Sequence, residues 1–192
     1  MTPGNAPLWR AEPGLLSLTA VRVLLIRHGC AGNKRRWSGD DAERPLDPAG
    51  YRQAAALATA LMARPFDRIA SSPTKRCIET VVPLAHARGL QVEEWPQLGR
   101  ATSGDELWEL VTSPEAADTV LCTHGEVMTG LLERLRADGV PMTAAHTDDA
   151  WLLAKGSGWD LTVEGGAVKA LRHFHPAPDL DCPEHTSARS SG

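Results

Sequence analysis

The stretch Val21–Gly29 reads VRVLLIRHG and joins an apolar run to a charged, titratable end. Apart from Arg22 the run is apolar and rich in branched side chains, which is typical of a strand buried on both faces of a sheet. Ligands of open α/β sheets bind beyond the carboxyl ends of the strands. The position of Arg27 and His28 therefore predicts a ligand site at the end of this strand.

Two other segments repeat the pattern of an apolar strand that ends on polar, functional residues. The segment 67–71 leads into SSPTKR, which ends on Arg76, and the segment 118–122 leads into Thr123 and His124. Two arginines and two histidines at three strand ends predict a pocket that binds an anion and offers an imidazole as nucleophile. We therefore expect a phosphoryl-transfer site that contains Arg27, His28, Arg76 and His124.

His28 is the predicted nucleophile, and its chemistry explains its neighbours. An imidazole attacks phosphorus only when it is neutral, and its ordinary pKa of about 6.5 already favours that form. Neighbouring cations lower the pKa further, so Arg27 and Arg76 would keep the ring neutral while they bind phosphate oxygens with planar, bidentate donors. Gly29 has no side chain and would let the backbone approach the ligand.

The segment before Arg76 predicts a helix start, with Ser72 as the N-cap and Pro73 as the first helical residue. Arg76 would then lie about one turn into the helix, at the end whose free N–H groups and dipole favour an anion. His124, with Gly125 after it, is expected to reach the same rim and to stabilise negative charge on the transferred group.

A proton donor for the leaving group has several candidates in the sequence. Glu126, Glu106 and Asp105 are candidates, because a carboxyl group in an apolar rim can retain its proton. Lys34 belongs to a Lys-Arg-Arg run that is either a solvated part of the long loop 29–47 or a contact for further phosphates of the substrate.

Strand and helix signals alternate along most of the chain. Strands are predicted at 21–26, 67–71, 91–94, 118–122, 150–154, 159–163 and 168–174, and Gly165-Gly166 is expected to form a hairpin turn between the last two. Helices are predicted from Pro48 up to Pro65, from Pro73 to about His86 with a kink or end at Pro83, and at 104–111 and 126–137. This alternation predicts a three-layer α/β/α sandwich with a mostly parallel central sheet and an antiparallel edge hairpin.

Length and composition limit the possible functions. The 192 residues suit one domain at 19–175, preceded by an arm at 1–18 and followed by a disordered tail at 176–192. A net charge of −4 without a basic stripe argues against binding to a nucleic-acid polymer. The apolar run 14–26 is interrupted by Arg22 and is too short for a membrane span, which predicts a cytoplasmic protein with no membrane partner. The oligomeric state stays open.

The four cysteines form no Cys-x-x-Cys pair, and nothing in their spacing indicates a disulfide framework. A reducing compartment is therefore expected. His173 and His175 alternate on one predicted strand, but no third metal ligand stands at a suitable spacing. We expect neither a metal nor a cofactor.

LLIRHG, SSPTKRCIET and CTHGEV resemble the histidine phosphatase superfamily, which has the phosphoglycerate-mutase-like fold. The resemblance covers roughly residues 21–172. The loop KRRWSGDDAERPLDPAGYRQA is similar to that of short bacterial phosphohistidine phosphatases of the SixA type, and closer still to phosphatase domains fused to Nudix hydrolases. Mutase-like members carry an asparagine where this chain has Lys34, and the glutamate segment of mutases is replaced here by LGRATSGDELWEL.

The resemblance implies a metal-independent phosphatase in which His28 becomes phosphorylated while Arg27, Arg76 and His124 hold the phosphoryl group. Water would then hydrolyse the phosphohistidine. The implied substrate is a phosphomonoester or phosphoramidate, namely a phosphorylated small molecule, a nucleotide or a phosphohistidine protein. The alternatives are a phosphoglycerate-type mutase and a non-catalytic module that binds phosphorylated ligands. Retention of both histidines counts against the non-catalytic module, since binding alone needs only the arginines.

Overall fold

The structure is a computed structural model that describes residues 20–180 and 182, so the predicted arm at 1–18 lies outside the described residues. In the described part the strands are β1 (Val21–Arg27), β2 (Arg68–Ser71), β3 (Val92–Glu94), β4 (Thr119–Thr123), β5 (Met142–Thr143), β6 (Gly158–Glu164) and β7 (Ala167–Phe174). The α-helices are α1 (Pro48–Leu61), α2 (Lys75–Arg88), α3 (Gly104–Thr112), α4 (Gly125–Ala137) and α5 (Asp149–Leu152). None of the helices in these residues is long and apolar enough to cross a membrane.

The strands form one sheet in the order β3-β2-β4-β1-β6-β7-β5. The first four are parallel to one another, whereas β6 runs antiparallel to β1 and β7 runs antiparallel to β6. The predicted sheet, mostly parallel with an antiparallel hairpin, is confirmed. The short strand β5, which the sequence did not predict, adds to the outer side of β7 in parallel orientation.

The central strand β1 is buried on both faces, as its apolar run predicted. Successive side chains of a strand point to opposite faces. Val23 and Leu25 accordingly belong to the core on one side of the sheet, together with residues of α3 and α4. Leu24 and Ile26 belong to the core on the other side, together with residues of α1 and α2. The sheet is therefore the middle layer of three.

Helix α1 begins as predicted, with Pro48 as its first residue and the Asp47 carboxylate accepting the Gly50 N–H at 2.8 Å. The Gly165-Gly166 turn between β6 and β7 is also confirmed, and both glycines have a positive φ. The predicted strand at 150–154 is wrong. Its apolar residues belong to the short helix α5 and the turn after it, because a short apolar run does not distinguish a strand from a buried helical turn.

Helix α2 differs from its prediction at both ends. It begins at Lys75 with Thr74 as N-cap, so Ser72 and Pro73 precede the helix. It continues through Pro83 to Arg88, where Gly89 ends it in the left-handed conformation. The predicted end of the helix at Pro83 is therefore wrong, and Ser72 is left available for a contact elsewhere.

A disulfide between Cys30 and Cys182 corrects the expectation that the cysteines stay unpaired. The two residues are 152 positions apart, and both are buried. The Gln53 side chain also links their surroundings, since its Oε1 accepts the Cys30 N–H at 2.8 Å and its Nε2 donates to the Leu180 carbonyl at 2.8 Å. The part of the predicted tail that the structure describes, 176–180 and 182, is thus attached to the loop after β1.

We expect the change Cys182→Ser to lower the free energy of unfolding by about 2–4 kcal/mol, because a cross-link across a long loop restricts the unfolded chain. Denaturant titration with and without a dithiol reductant measures this difference. Cys77 and Cys122 are free thiols, so the denatured protein should react with a thiol reagent at two cysteines before reduction and at four after it. Four reactive thiols before reduction would contradict the disulfide.

Candidate active site

The register of the parallel strands brings the three predicted strand ends together. Arg27 at the end of β1 pairs with Thr123 at the end of β4, and the His28 N–H donates to the Thr123 carbonyl at 3.1 Å. Ser71 at the end of β2 pairs with Cys122. His28 and His124 consequently lie side by side with ring centroids 5.3 Å apart.

A cavity of about 150 Å³ opens at these strand ends. It is lined by all four residues predicted to form the site, by the predicted Lys34 and Glu126, and by four residues that the sequence analysis did not assign. The lining consists of Arg27, His28, Gly32, Lys34, Arg44, Arg76, Arg100, His124, Glu126 and Lys155. Six of these residues are cationic and one is acidic, so the cavity is suited to an anion.

The His28 ring is buried, and its hydrogen bond fixes its tautomer. Nδ1 lies 2.7 Å from the Gly29 carbonyl oxygen, which can only accept, so the neutral ring carries its proton on Nδ1. The lone pair then resides on Nε2. Burial holds the pKa of His28 well below its usual value, the Gly29 bond opposes this, and the charges of His124, Arg27 and Arg76 lower it further. His28 is therefore a neutral imidazole at physiological pH, with its lone pair on Nε2.

The turn that carries His28 rests against two helices. The Gly29 N–H donates to Thr80 Oγ1 of α2 at 2.9 Å. A Cβ at Gly29 would lie 3.1 Å from the carbonyl oxygen of Gly50 in α1, which is closer than a methyl group fits comfortably. Gly29 thus allows close packing of the turn on α1 and does not line the cavity.

The Arg27 side chain is held in place by backbone groups of two other segments. Its Nη1 donates to the Leu153 carbonyl just after α5, and its guanidinium lies over the α-carbon of Gly125. A Cβ at Gly125 would lie 2.7 Å from Arg27 Cζ, so a side chain there would displace the guanidinium. Gly125 therefore shapes the site through Arg27.

Arg76 is almost completely buried, at 1% exposure, and is the second residue of α2. Its Nη1 donates to the Asp41 carbonyl at 2.6 Å, and its Nη2 lies 3.3 Å from Asp41 Oδ2. Burial lowers the pKa of Arg76, and the charge of Asp41 opposes that shift. Within the described residues neither Arg76 Nε nor Arg27 Nε has a hydrogen-bond acceptor, although both are buried. Each of these arginines therefore has one buried donor that the described part of the chain does not pair.

The contact of His124 with Ser72 was missed by the sequence analysis, which assigned Ser72 to a helix cap. His124 Nε2 lies 2.9 Å from Ser72 Oγ and 3.7 Å from Cys77 Sγ. Ser72 Oγ also accepts the Thr74 N–H at 3.4 Å, which holds the hydroxyl beside His124. Ser72 therefore orients the second histidine.

The candidate proton donors are separated by the fold. Glu106 does not line the cavity: it is the third residue of α3 and forms a capping box with Ser103, whose hydrogen bonds lower its pKa. Asp105 forms an ion pair with Arg134. The structure therefore gives neither Glu106 nor Asp105 a place at the reacting group.

Glu126 does line the cavity, but its environment favours the carboxylate. Burial would raise its pKa, yet its own backbone N–H, the hydrogen bond from Arg100 and the nearby cations lower the pKa overall. Its ion pair with Arg100 keeps it ionised at neutral pH. An ionised carboxylate has no proton to donate, so the predicted role of Glu126 as the acid is not supported.

His173 and His175 lie around Trp151 and Trp159, apart from the cavity lining. Burial lowers the pKa of His173 to about 4, with help from the charges of His175 and His146. No group of three His, Cys, Asp or Glu side chains within 20–180 and 182 has the arrangement to hold a metal ion.

The fold and this site define an α/β protein with a buried, neutral histidine in an arginine-lined cavity that is suited to an anion. Residues 23–105 match the model of the histidine phosphatase superfamily, branch 1. The chain is 34% identical over 166 residues to an 8-oxo-(d)GTP phosphatase of Mycolicibacterium smegmatis, with 82% of this chain and 48% of the relative covered. The chain thus spans about half the length of that relative.

Solved structures show the same fold. A structure from Nakamurella multipartitia, named for the phosphohistidine phosphatase SixA, is 25% identical with a TM-score of 0.58, covering 82% of this chain and 96% of that one. The protein histidine phosphatase SixA in complex with tungstate is 18% identical with a TM-score of 0.62, covering 81% and 97%. The chain belongs to the histidine phosphatase superfamily.

We expect Gly125→Ala to weaken the binding of inorganic phosphate by about tenfold, because the new methyl group displaces the Arg27 guanidinium and its charge-assisted hydrogen bonds. Isothermal titration calorimetry measures the affinity. Glu133→Ala, on the exposed side of the same helix, is the control and should bind as the native chain does. Unchanged phosphate affinity in Gly125→Ala would exclude Arg27 as a ligand of the anion.

The lowered pKa of His28 also predicts how stability depends on pH. Between pH 7 and pH 5 the unfolded chain takes up a proton at residue 28 and the native chain does not, so stability falls as the pH falls. His28→Gln should abolish roughly 1–2 kcal/mol of this loss, measured by urea denaturation at the two pH values. The change His86→Gln, at an exposed histidine, is the matched control. An identical loss in the native chain and in His28→Gln would contradict a neutral buried ring.

Proposed function

We propose that this chain is a metal-independent phosphatase that transfers a phosphoryl group from its substrate to His28 Nε2 and then to water. The observation that carries the proposal is the buried, neutral His28, whose Nδ1 proton is donated to Gly29 and whose Nε2 is therefore free to attack. In the first step Nε2 forms a bond to phosphorus and the leaving group departs with its electron pair. In the second step water attacks the phosphohistidine and His28 Nε2 regains its lone pair.

The arginines would supply the electrostatic part of catalysis. Arg27 and Arg76 each have a buried guanidinium Nε without an acceptor among the described residues, and both side chains line the cavity that contains His28. Preorganised donors of this kind stabilise the charge that spreads over the oxygens of a phosphoryl group in transfer. His124, oriented by Ser72, would donate to the same oxygens.

The described cavity lining contains no protonated carboxyl group that could donate a proton to the leaving group. This limits the classes of leaving group that the site can expel. Glu126 is ionised by its partner Arg100, and Glu106 lies elsewhere. The site is therefore suited to leaving groups that need little help from a proton donor. A phosphoramidate such as phosphohistidine, which can release neutral imidazole, and a nucleotide phosphoanhydride both meet this condition. The names of the relatives, an 8-oxo-(d)GTP phosphatase and SixA, agree with these two classes.

The test of the proposed function is hydrolysis of p-nitrophenyl phosphate in the presence of EDTA. The native chain should release p-nitrophenolate, and His28→Ala should lose at least about a thousandfold in kcat because the nucleophile is absent. Mass spectrometry after a quench at alkaline pH should find an acid-labile phosphoryl adduct on His28. Loss of activity with chelator, or full activity of His28→Ala, would overturn the proposal.

A second test distinguishes two roles of Glu126, namely that of a general acid and that of an ion-pair partner of Arg100. If Glu126 donated the proton, Glu126→Gln would impair an alkyl phosphate far more than p-nitrophenyl phosphate, whose leaving group is stable without protonation. We expect Glu126→Gln to change kcat for glycerol 2-phosphate and kcat for p-nitrophenyl phosphate by the same factor, within about threefold. A selective loss with the alkyl ester would return Glu126 to the role of general acid.

A further inference from the structure

Three guanidinium groups of residues that line the cavity converge on one carboxylate, that of Asp41. Asp41 Oδ1 accepts from Arg44 Nε at 2.9 Å, and Asp41 Oδ2 lies 3.3 Å from Arg76 Nη2 and 3.2 Å from Arg100 Nη1. All three arginines line the cavity that contains His28. Asp41 carries one negative charge and Glu126, which pairs with Arg100, carries a second, so the three guanidinium groups still have more positive charge than their carboxylate partners neutralise.

Asp41 belongs to a loop segment that contacts residues of the site at several points. Asp41 begins a short 3-10 helix, Asp41–Glu43, in the loop between β1 and α1. Its backbone carbonyl accepts from Arg76 Nη1, and its carboxylate is about a quarter exposed. The Arg100 guanidinium connects it to Glu126 at the start of α4, so an ion-paired bridge runs from the loop to the helix.

Guanidinium groups bind carboxylate and phosphate with the same planar, charge-assisted geometry. Arg76 is the residue that the proposed function assigns to the phosphoryl group, and Asp41 engages two of its nitrogens. Partial burial opposes ionisation of Asp41, but the hydrogen bond from Arg44 and the charges of Arg76, Arg44 and Lys34 lower its pKa. The carboxylate is therefore charged, and competes with an anionic ligand, at neutral pH.

We propose that Asp41 is an internal competitor for the phosphate site: its carboxylate occupies the arginine cluster in the ligand-free chain, and the phosphate group of the substrate displaces it. This inference rests on the proposed function for the identity of the ligand. A phosphate dianion brings more charge and more acceptor oxygens than a carboxylate, which favours the exchange. Displacement releases Arg44 and Arg100 to bind the substrate. Asp41 thus sets the affinity of the site, and with it the lowest phosphate concentration to which the chain responds.

The experiment compares Asp41→Asn and Asp41→Ala with the native chain. The probe is inorganic phosphate, measured by isothermal titration calorimetry, and KM and kcat are measured with p-nitrophenyl phosphate. Removal of a competing charge should lower both the Kd for phosphate and KM by about tenfold, with kcat changed much less. Glu43→Gln is the matched control, since it removes the same charge from an exposed residue of the same 3-10 helix.

Three results would overturn the proposal. If Asp41 merely positions Arg76, both variants will bind phosphate more weakly and the proposal is overturned. It is also overturned if Glu43→Gln tightens binding as much as Asp41→Asn does, because the effect is then one of net charge, or if no variant binds phosphate.

A double variant distinguishes this proposal from the proposed function. His28→Ala removes the nucleophile but leaves the arginines, so Asp41→Asn in that background should still tighten phosphate binding by about tenfold. If the native chain neither turns over substrate nor forms an adduct on His28 while this tightening persists, the catalytic proposal fails and the competitor stands. If turnover is normal and the tightening is absent, the competitor fails alone.

Discussion

The structure depends on one constraint, the burial of a neutral imidazole next to guanidinium groups that cannot lose their charge. Arg76 is almost fully buried and Arg27 largely so, and each retains a guanidinium nitrogen without an acceptor in the described part of the chain. Buried charge of this kind is costly unless it is paired. His28 responds to the same surroundings with a lowered pKa, and Asp41 and Glu126 supply the compensating negative charge. The anion that we propose as ligand would complete the pairing.

The scaffold fixes the turn after His28 through close backbone packing, a helix-capping carboxylate and a disulfide. The turn after β1 packs so closely on α1 that a Cβ at Gly50 would lie 2.0 Å from the Cys30 carbonyl oxygen. The Asp47 carboxylate caps α1 and also accepts the Gly32 N–H at 3.0 Å, so one side chain joins the helix to the loop. The disulfide at Cys30 adds a covalent link to the same turn. His28, the proposed nucleophile, is consequently carried by a turn with several fixed contacts, while the carboxylate proposed to exchange with phosphate lies in the loop that follows.

The predictions from sequence succeeded where local pattern and sheet geometry act together. Apolar runs located β1, β2 and β4, and parallel strands place their carboxyl ends on one edge, so Arg27, His28 and His124 had to be neighbours. The predictions failed where the same local sequence is compatible with two different structures. Residues 150–154 have the composition of a strand and form a helical turn, and Ser72 stands at a helix start and instead contacts His124.

The sequence by itself determined the three-layer fold and the four residues of the anion pocket, because burial, strand length and polar strand ends are local properties of the chain. Only the tertiary structure decided which carboxylates reach the cavity, since Glu106 and Glu126 have similar local contexts and differ in the direction in which their helices present them. It also decided the tautomer of His28, the partners of Asp41 and the pairing of Cys30 with Cys182. These depend on contacts between residues that are distant along the chain, for which one sequence contains no local signal.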